Sequence, residues 1–93
     1  MTIYQELGYS PEEVDIAALW KTADTLPSPP HRWNLGATLR MRYAEDGRVQ
    51  ATYKEMAALN SVTPSRVRQV VKKACRMLRG PRYVHRWQKV VDG

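Results

Sequence analysis

The chain has 93 residues, which suits a single small domain. Hydrophobic residues make up 43% of it, enough to build a core and too many for a disordered chain. No apolar run approaches the roughly 20 residues of a membrane span, and MTIYQELGYSPEE lacks the basic start and apolar centre of a secretory signal. A single cysteine excludes an internal disulfide, and no Cys/His cluster indicates zinc. We therefore expect a cytoplasmic protein.

The formal charge of +6 and the pI of about 9.8 come mainly from one end of the chain. Residues 1–31 carry five acids against one lysine, a net charge of −4, and residues 32–56 carry five bases against three acids, a net charge of +2. Residues 57–93 carry nine bases against one acid, a net charge of +8. Basic charge concentrated in this way favours a nucleic-acid-binding protein over an inert basic surface.

The first predicted element is a helix over residues 11–24. Ser10 can cap this helix, Pro11 fits its first position, and Glu13 completes a capping box. Its apolar residues fall on more than one side. This pattern is typical either of a helix surrounded by core or of a helix that offers a face to a partner.

A proline-rich stretch, TLPSPP at 25–30, follows this helix. A proline pair cannot continue a helix, so the stretch predicts a boundary between an acidic N-terminal helical segment, 1–31, and a basic unit, 32–93. The acidic segment repels phosphate, and its apolar cluster suits a protein partner, such as RNA polymerase or a second copy in a homodimer. The predicted partner-binding residues are Ile16, Leu19 and Trp20. On this interpretation, removal of residues 1–26 leaves the basic unit folded.

Four further helices are predicted in the basic unit, over 32–43, 52–60, 64–79 and 82–91. Thr52 and Glu55 form a second capping box, which opens the second of them. Thr63 and Pro64 open the third, since threonine caps helices and proline fits the first helical position. No stretch alternates with the period of a strand over a convincing length. The chain is therefore predicted to be all-α.

The helix over 64–79 has two faces. One is an apolar stripe of Val67, Val70, Val71, Ala74 and Leu78. The other is polar and basic, with Ser65, Arg68, Gln69, Lys72, Lys73 and Arg76. Together with the short helix at 52–60 and a tight turn at Ser61-Val62, it forms a helix-turn-helix pattern. Ala57 is small where the two helices cross, and Ser61 stands where glycine often supplies a left-handed turn.

Residues 39–82 resemble region four of the sigma-70-type bacterial transcription initiation factors. The family pattern is matched without a gap by Leu39-Arg40-Met41-Arg42-Tyr43, Thr52, Val62-Thr63, Arg66-Val67-Arg68-Gln69, Ala74, Leu78-Arg79 and Pro81. The resemblance implies a small helix-turn-helix domain that binds double-stranded DNA and docks on RNA polymerase. It implies that Arg68 and Gln69 lie in the major groove, with Arg42 and Thr52 against phosphates.

The resemblance and the basic helix face together predict the DNA-binding residues Arg42, Thr52, Tyr53, Lys54, Ser65, Arg66, Arg68, Gln69, Lys72, Lys73 and Arg76. An arginine fork suits a guanine edge, and a glutamine amide suits adenine. The chain departs from the family after the capping threonine, where Pro64 and Ser65 replace the usual arginine and glutamate. It departs again at Lys54, where an acidic residue is usual.

These features predict a transcription regulator of bacterial or phage origin that acts at promoters with RNA polymerase. Two alternatives stay open: a dimeric helix-turn-helix repressor, and a protein-interaction module that binds polymerase as a decoy of sigma without reading DNA. No carboxylate pair, nucleophile triad or phosphate loop indicates an enzyme, and no cofactor or metal is predicted. Cys75 neighbours the apolar stripe and is predicted to be a core residue.

Overall fold

The computed structural model describes residues 1–27 and 34–89 of the chain. Five α-helices follow in chain order: α1, Ile3–Leu7; α2, Ile16–Ala23; α3, Leu35–Arg42; α4, Tyr53–Asn60; and α5, Pro64–Arg79. Single 3₁₀ turns lie at Pro11–Glu13 and Val84–Arg86. The described residues contain no β-strand, and their extended backbone pairs only at three isolated antiparallel bridges. The all-α prediction is confirmed.

α5 lies at the centre of the core and contacts each of the other four helices. The apolar stripe predicted for it is buried, with Val67, Val71, Ala74 and Leu78 all at 0% exposure. Full burial of a valine or leucine side chain stabilises a fold by roughly 1.5–3 kcal/mol. The fold therefore depends on α5 more than on any other helix.

The bounds of α4 and α5 agree with those predicted, with Thr52 and Thr63 as their N-caps. α3 begins at Leu35 behind an Asn34 cap, whose side-chain oxygen accepts a hydrogen bond from the Ala37 N–H at 2.9 Å. Residues 32 and 33, where a helix start was expected, lie outside the described residues. The sequence therefore predicts α4 and α5 well, because each has a recognisable cap, whereas α3 begins three residues later than the predicted start at 32.

The predicted helix over 11–24 is interrupted. Pro11–Glu13 form a 3₁₀ turn with the expected capping box, but Val14 is extended, with φ −120° and ψ 124°, and it bridges Gln88. Asp15 then caps α2 with its side chain. Backbone hydrogen bonds between residues 13–15 and residues 87–89 thus replace one turn of helix. The sequence around residues 11–24 does not predict these distant bonds.

The N-terminal segment belongs to the same core as the rest of the chain. Its buried apolar residues are Ile3, Leu7, Val14, Leu19, Trp20, Ala23 and Leu26. The Trp20 indole N–H donates to the Glu45 carbonyl oxygen at 2.9 Å, and the Asp24 carboxylate pairs with Arg40 at 2.8 Å. The predicted break over 25–30 is described only for residues 25–27, which are not helical, and residues 28–30 lie outside the described residues. The described parts of the two predicted units therefore share one core instead of forming separate layers.

α1 has no counterpart among the predicted helices. Thr2 and Gln5 form a capping box at its start, and Gly8 ends it in the left-handed conformation, φ 77°. Ile3 and Leu7 are buried against the core. The five residues of α1 are too few for a helical period to show in the sequence, although both caps are visible there.

The last predicted helix, 82–91, is reduced over its described part to one 3₁₀ turn. The Trp87 indole N–H donates to the Leu78 carbonyl oxygen at 2.9 Å, and the Trp87 ring packs edge-on against Tyr9 with 5.0 Å between centroids. These contacts fold the chain back onto the end of α5. A longer helix would carry Trp87, which is 1% exposed, away from this site.

Candidate nucleic-acid interface

The basic face of α5 points away from the core. The Thr63 hydroxyl caps the helix by accepting a hydrogen bond from the Arg66 N–H at 3.2 Å, and Pro64 occupies the first helical position. All the α5 side chains predicted to bind DNA are exposed: Ser65, Arg66, Arg68, Gln69, Lys72, Lys73 and Arg76. The 16 residues of α5 thus hold a basic surface about 24 Å long over an apolar one.

The positive charge of this face is not neutralised within the described protein. α5 carries six cations and no carboxylate, and no Asp or Glu occurs over residues 56–91. The two ion pairs found among the described residues lie elsewhere, between Arg40 and Asp24 and between Arg48 and Asp46. Clustered cations without internal partners create a potential that attracts polyanions. The face therefore suits a chain of phosphates.

α4 precedes this face and is joined to it by residues 61–63. The Thr52 hydroxyl accepts a hydrogen bond from the Glu55 N–H at 3.0 Å, and the Glu55 carboxylate accepts one from the Thr52 N–H at 3.1 Å. The bonds to Thr52 hold the pKa of Glu55 below its ordinary value, because they favour the charged carboxylate. The second predicted capping box is therefore confirmed.

Ser61 ends α4 in the left-handed conformation, with φ 55° and ψ 42°. It is the one non-glycine residue with positive φ among the described residues. Such a conformation strains any residue that carries a Cβ atom. The Ser61 turn thus has the backbone that glycine often provides in helix-turn-helix proteins, and it holds the start of α5 close to α4, where Ala57 is buried.

Three of the predicted DNA-binding residues lie at or next to the start of α4. Thr52 and Lys54 are exposed, whereas Tyr53 is half-buried. Burial raises the pKa of Tyr53, and the nearby Arg42 guanidinium opposes this effect without cancelling it. The Tyr53 hydroxyl therefore keeps its proton at neutral pH and can donate a hydrogen bond to an acceptor such as a phosphate oxygen.

Arg42 does not reach the surface, so the phosphate contact predicted for it does not fit the structure. Its side chain is 6% exposed. The guanidinium carbon lies 3.9 Å from the centroid of the Tyr53 ring, and Nη1 donates to the Ala51 carbonyl oxygen at 2.7 Å. A cation over an aromatic face is stabilised by the ring quadrupole. Arg42 therefore ties the end of α3 to the start of α4 and is not available for DNA.

The partner-binding residues predicted on α2 do not fit the structure either. Leu19 is 0% exposed and Trp20 is 5% exposed, and only Ile16 remains half-buried. The Arg40 guanidinium carbon also lies 5.1 Å from the centroid of the Trp20 ring. α2 therefore packs Leu19 and Trp20 into the core, and its exposed positions are Ala17 and Lys21.

Several exposed cations lie beyond the residues predicted to bind DNA. They follow Arg76 along the chain and comprise Arg79, Arg82, Arg86 and Lys89, with His85 between them. The absence of any acidic residue from 56 to 91 is the sequence signal that identifies them. This signal depends on charge alone and needs no helical period.

Cys75 lies on the core face of α5 and is 1% exposed. Burial raises the pKa of its thiol to about 12, because a buried thiolate loses its hydration. Burial also raises the pKa of the neighbouring Tyr43 hydroxyl. A neutral, buried thiol is chemically inert, so the predicted core role of Cys75 is confirmed.

Other kinds of site find little support in residues 1–27 and 34–89. No group of three or more His, Cys, Asp or Glu side chains in these ranges is placed to hold a metal ion. A shallow cleft lies beside Trp20 and Arg40, but the Gln50 amide there donates to the Arg40 carbonyl oxygen at 2.8 Å and serves the end of α3. Among the same residues, every helix is too short or too polar to cross a lipid bilayer.

Comparisons of the chain with protein-family models, with curated proteins and with solved structures found no match. The likeness to sigma region four therefore rests on the residues quoted above for it. Any functional conclusion has to come from the charge and geometry of α4, α5 and the turn that joins them.

Proposed function

We propose that the protein is a DNA-binding transcription regulator that resembles sigma region four and acts with bacterial RNA polymerase at promoters. The compartment that this function implies is the cytoplasm of a bacterium or of a phage-infected cell. The observation that carries the proposal is the charge of α5, which has six cations and no carboxylate. Its apolar face is buried in the core, so the basic face is the one left for a ligand.

The dimensions of α5 fit the major groove. An α-helix with its side chains is about 10–12 Å across, and the major groove, about 12 Å wide, admits such a helix. In helix-turn-helix proteins the N-terminal residues of the second helix contact base edges. Arg68 and Gln69 are therefore the proposed base-reading residues, and Lys72, Lys73 and Arg76 are the proposed phosphate contacts.

The first turn of α5 limits how much sequence this helix can read. Pro64 has no N–H donor, and Ser65 is too short to reach as far as an arginine or glutamate at that position. Arg42 is also unavailable because it is buried. The protein alone is expected to bind DNA mainly through phosphates, weakly and with a strong dependence on salt.

Useful occupancy of one site then requires a second attachment. Binding to RNA polymerase raises the effective concentration of the DNA-binding face to the order of millimolar when the link is short. The polymerase contact is the part of the proposal that comes from the resemblance. With Leu19 and Trp20 buried, the proposed contact must use another surface of the protein.

The test of DNA binding is a titration of a random-sequence duplex of roughly 30 base pairs, about three helical turns. Affinity should fall by several orders of magnitude per decade of salt, with a log–log slope of about −0.9 for each phosphate contacted. Lys72→Ala should reduce the magnitude of this slope by about 1. If the protein does not bind DNA, or if its affinity for DNA does not depend on salt, the proposed function is wrong.

The test of base reading uses duplexes selected from a random pool by the protein itself. Arg68→Ala and Gln69→Ala should each reduce discrimination between selected and random duplexes by about 1–3 kcal/mol. Equal losses on both kinds of duplex would assign the two residues to positioning. The matched control is Arg48→Ala, which also shortens an exposed polar side chain but lies in the loop between α3 and α4, outside the predicted DNA-binding residues.

The two alternatives make different predictions in a pull-down with purified RNA polymerase core enzyme. The proposed regulator binds both polymerase and DNA. A decoy binds polymerase and not DNA, and the replacement of base-reading residues by Pro64 and Ser65 is the observation that favours it. A repressor binds DNA without polymerase, as a dimer on a repeated half-site about one helical turn apart.

A further inference from the structure

The basic surface continues past the end of α5 onto a turn of fixed geometry. Tyr83 and Val84 both donate backbone N–H groups to the Gly80 carbonyl oxygen at 3.0 Å. Tyr83 and Trp87 are buried, 8% and 1% exposed, and they anchor the turn beneath α5. The cations that stand between and around these anchors are all exposed: Arg79, Arg82, Arg86 and Lys89.

Helix length separates these cations from the proposed base-reading residues. In helix-turn-helix proteins the N-terminal residues of the second helix contact base edges, and from Arg68 to Arg79 the helix advances eleven residues, or about 16 Å. Arg79 therefore lies at the end of α5 away from the proposed base contacts. Arg82 follows three residues later in a tight turn, so its charge lies at the same end.

We propose that Arg79, Arg82 and Arg86 form a second phosphate-binding surface, which contacts the DNA backbone next to the groove occupied by α5. This inference rests on the proposed DNA-binding function and extends it past the end of α5, to Arg82 and Arg86. It assigns the turn after α5 the role of setting the angle at which α5 enters the groove, because two separated phosphate contacts fix an orientation and one does not.

The chemistry of this surface favours DNA over an acidic protein as its partner. Protein interfaces have an apolar centre with a polar rim. The large hydrophobic side chains that stand exposed among the described residues are Met1 and Leu59, and neither lies near the turn in the sequence. The turn instead exposes Arg82 and Arg86, and arginine can hydrogen-bond phosphate in a bidentate manner.

The experiment compares Arg82→Gln with Arg48→Gln in the full chain. Both arginines are exposed and both substitutions remove one positive charge, but Arg48 lies in the loop between α3 and α4, outside the basic surface. Affinity for a random-sequence duplex of roughly 30 base pairs is measured at several salt concentrations, and thermal melting checks that each variant is folded. Arg86→Gln serves as a second, independent variant.

Arg82→Gln is expected to lower the magnitude of the log–log salt slope by about 0.9, the value for one phosphate contact, and to weaken binding to every sequence alike. Arg48→Gln should leave the slope unchanged. If the wild type binds DNA and responds to Lys72→Ala, but Arg82→Gln and Arg86→Gln behave like Arg48→Gln, the second surface is wrong and the proposed function stands.

A second result would also overturn the inference. If Arg82→Gln leaves DNA binding intact but abolishes capture by purified RNA polymerase core enzyme, the turn is a protein contact. If the wild type itself shows no salt-dependent DNA binding, the inference and the proposed function fall together. These three patterns of result are distinct, so the failure of one proposal is not confused with the failure of the other.

Discussion

α2 and α5 pack on the same core, yet their exposed faces differ. α5 keeps its apolar residues on one face and leaves a basic face to solvent. α2 buries Leu19, Trp20, Thr22 and Ala23, and its exposed positions are Ala17 and Lys21. Of the two helices, α5 alone presents a cluster of like charges to solvent.

The difference shows what an apolar residue on a helix can reveal about function. On α5 a single stripe shows which side is covered, so the opposite side can be assigned to a ligand. The helix predicted over 11–24 has apolar residues on more than one side, and that pattern alone does not distinguish core from partner. Burial decides the matter for Leu19 and Trp20, which belong to the core.

The largest expected effect concerns the N-terminal segment as a whole. Removing residues 1–26 would expose the surfaces against which Ile3, Leu7 and Leu19 are buried. A domain this small buries little apolar surface in total, so this loss is a large part of its stability. We expect the fragment to lose its cooperative thermal transition in circular dichroism. A fragment that still melts cooperatively would restore the two-unit interpretation made from the sequence.

A pair of leucine substitutions gives the next largest effect. Leu19→Ala in α2 should reduce the free energy of unfolding by about 2–5 kcal/mol, the range for a buried leucine. Leu59→Ala in α4 is the matched control, since Leu59 is 78% exposed, and it should change stability by less than about 0.5 kcal/mol. If urea denaturation gives similar losses of unfolding free energy for the two variants, Leu19 is not buried as described.

A smaller effect is expected at the turn between α4 and α5. Ser61→Gly should raise the free energy of unfolding by about 0.5–1 kcal/mol, because glycine adopts positive φ without the clash of a Cβ atom. Ser65→Gly makes the same chemical change within α5, where the backbone is helical, and should lower stability by a similar amount. The free energy of unfolding is measured by chemical denaturation. If it rises in Ser61→Gly and falls in Ser65→Gly, the strain at Ser61 is confirmed, and changes of the same sign would contradict it.

The smallest expected effect is the pH dependence of the ion pair between Asp24 and Arg40, which joins α2 to α3. Hydrogen bonds from Arg40 lower the pKa of Asp24 in the folded protein. A lowered folded pKa gives a stability contribution that is present above the unfolded pKa, about 3.9, and is lost as pH falls below it.

Both side chains of this pair are about half-exposed, so the contribution should lie near the lower end of the range of about 0.2–1 kcal/mol for surface pairs. Asp24→Asn should therefore lower the melting temperature slightly at pH 7 and leave it unchanged near pH 2. A difference that persists at low pH would mean that the Asn side chain disturbs packing instead of removing a charge.

The parts of the fold that sequence predicts well are those with local signals. Thr52, Thr63 and the period of Val67 and Val71 are enough to place α4 and α5, because each signal acts within one or two turns of helix. The exposed side chains of α5 follow from the same period. All of the predicted DNA-binding residues on α5 are exposed for this reason.

The parts that sequence does not predict depend on distant contacts. Val14 leaves the helical conformation because it pairs with Gln88, which is 74 positions away. Arg42 is buried because Tyr53 and Ala51 fold over it, although arginine is usually exposed. No local pattern contains these partners, so a helix was expected in the first case and a phosphate contact in the second.

The inert Cys75 makes the protein convenient to study by thiol chemistry. Maleimide dyes react with thiolates, and Cys75 is buried with its pKa raised to about 12. A cysteine introduced on the surface can therefore be labelled in the folded protein for fluorescence without removal of the native one. Modification of Cys75 itself then reports transient opening of the core around α5, so its rate of labelling in dilute urea measures how often that opening occurs.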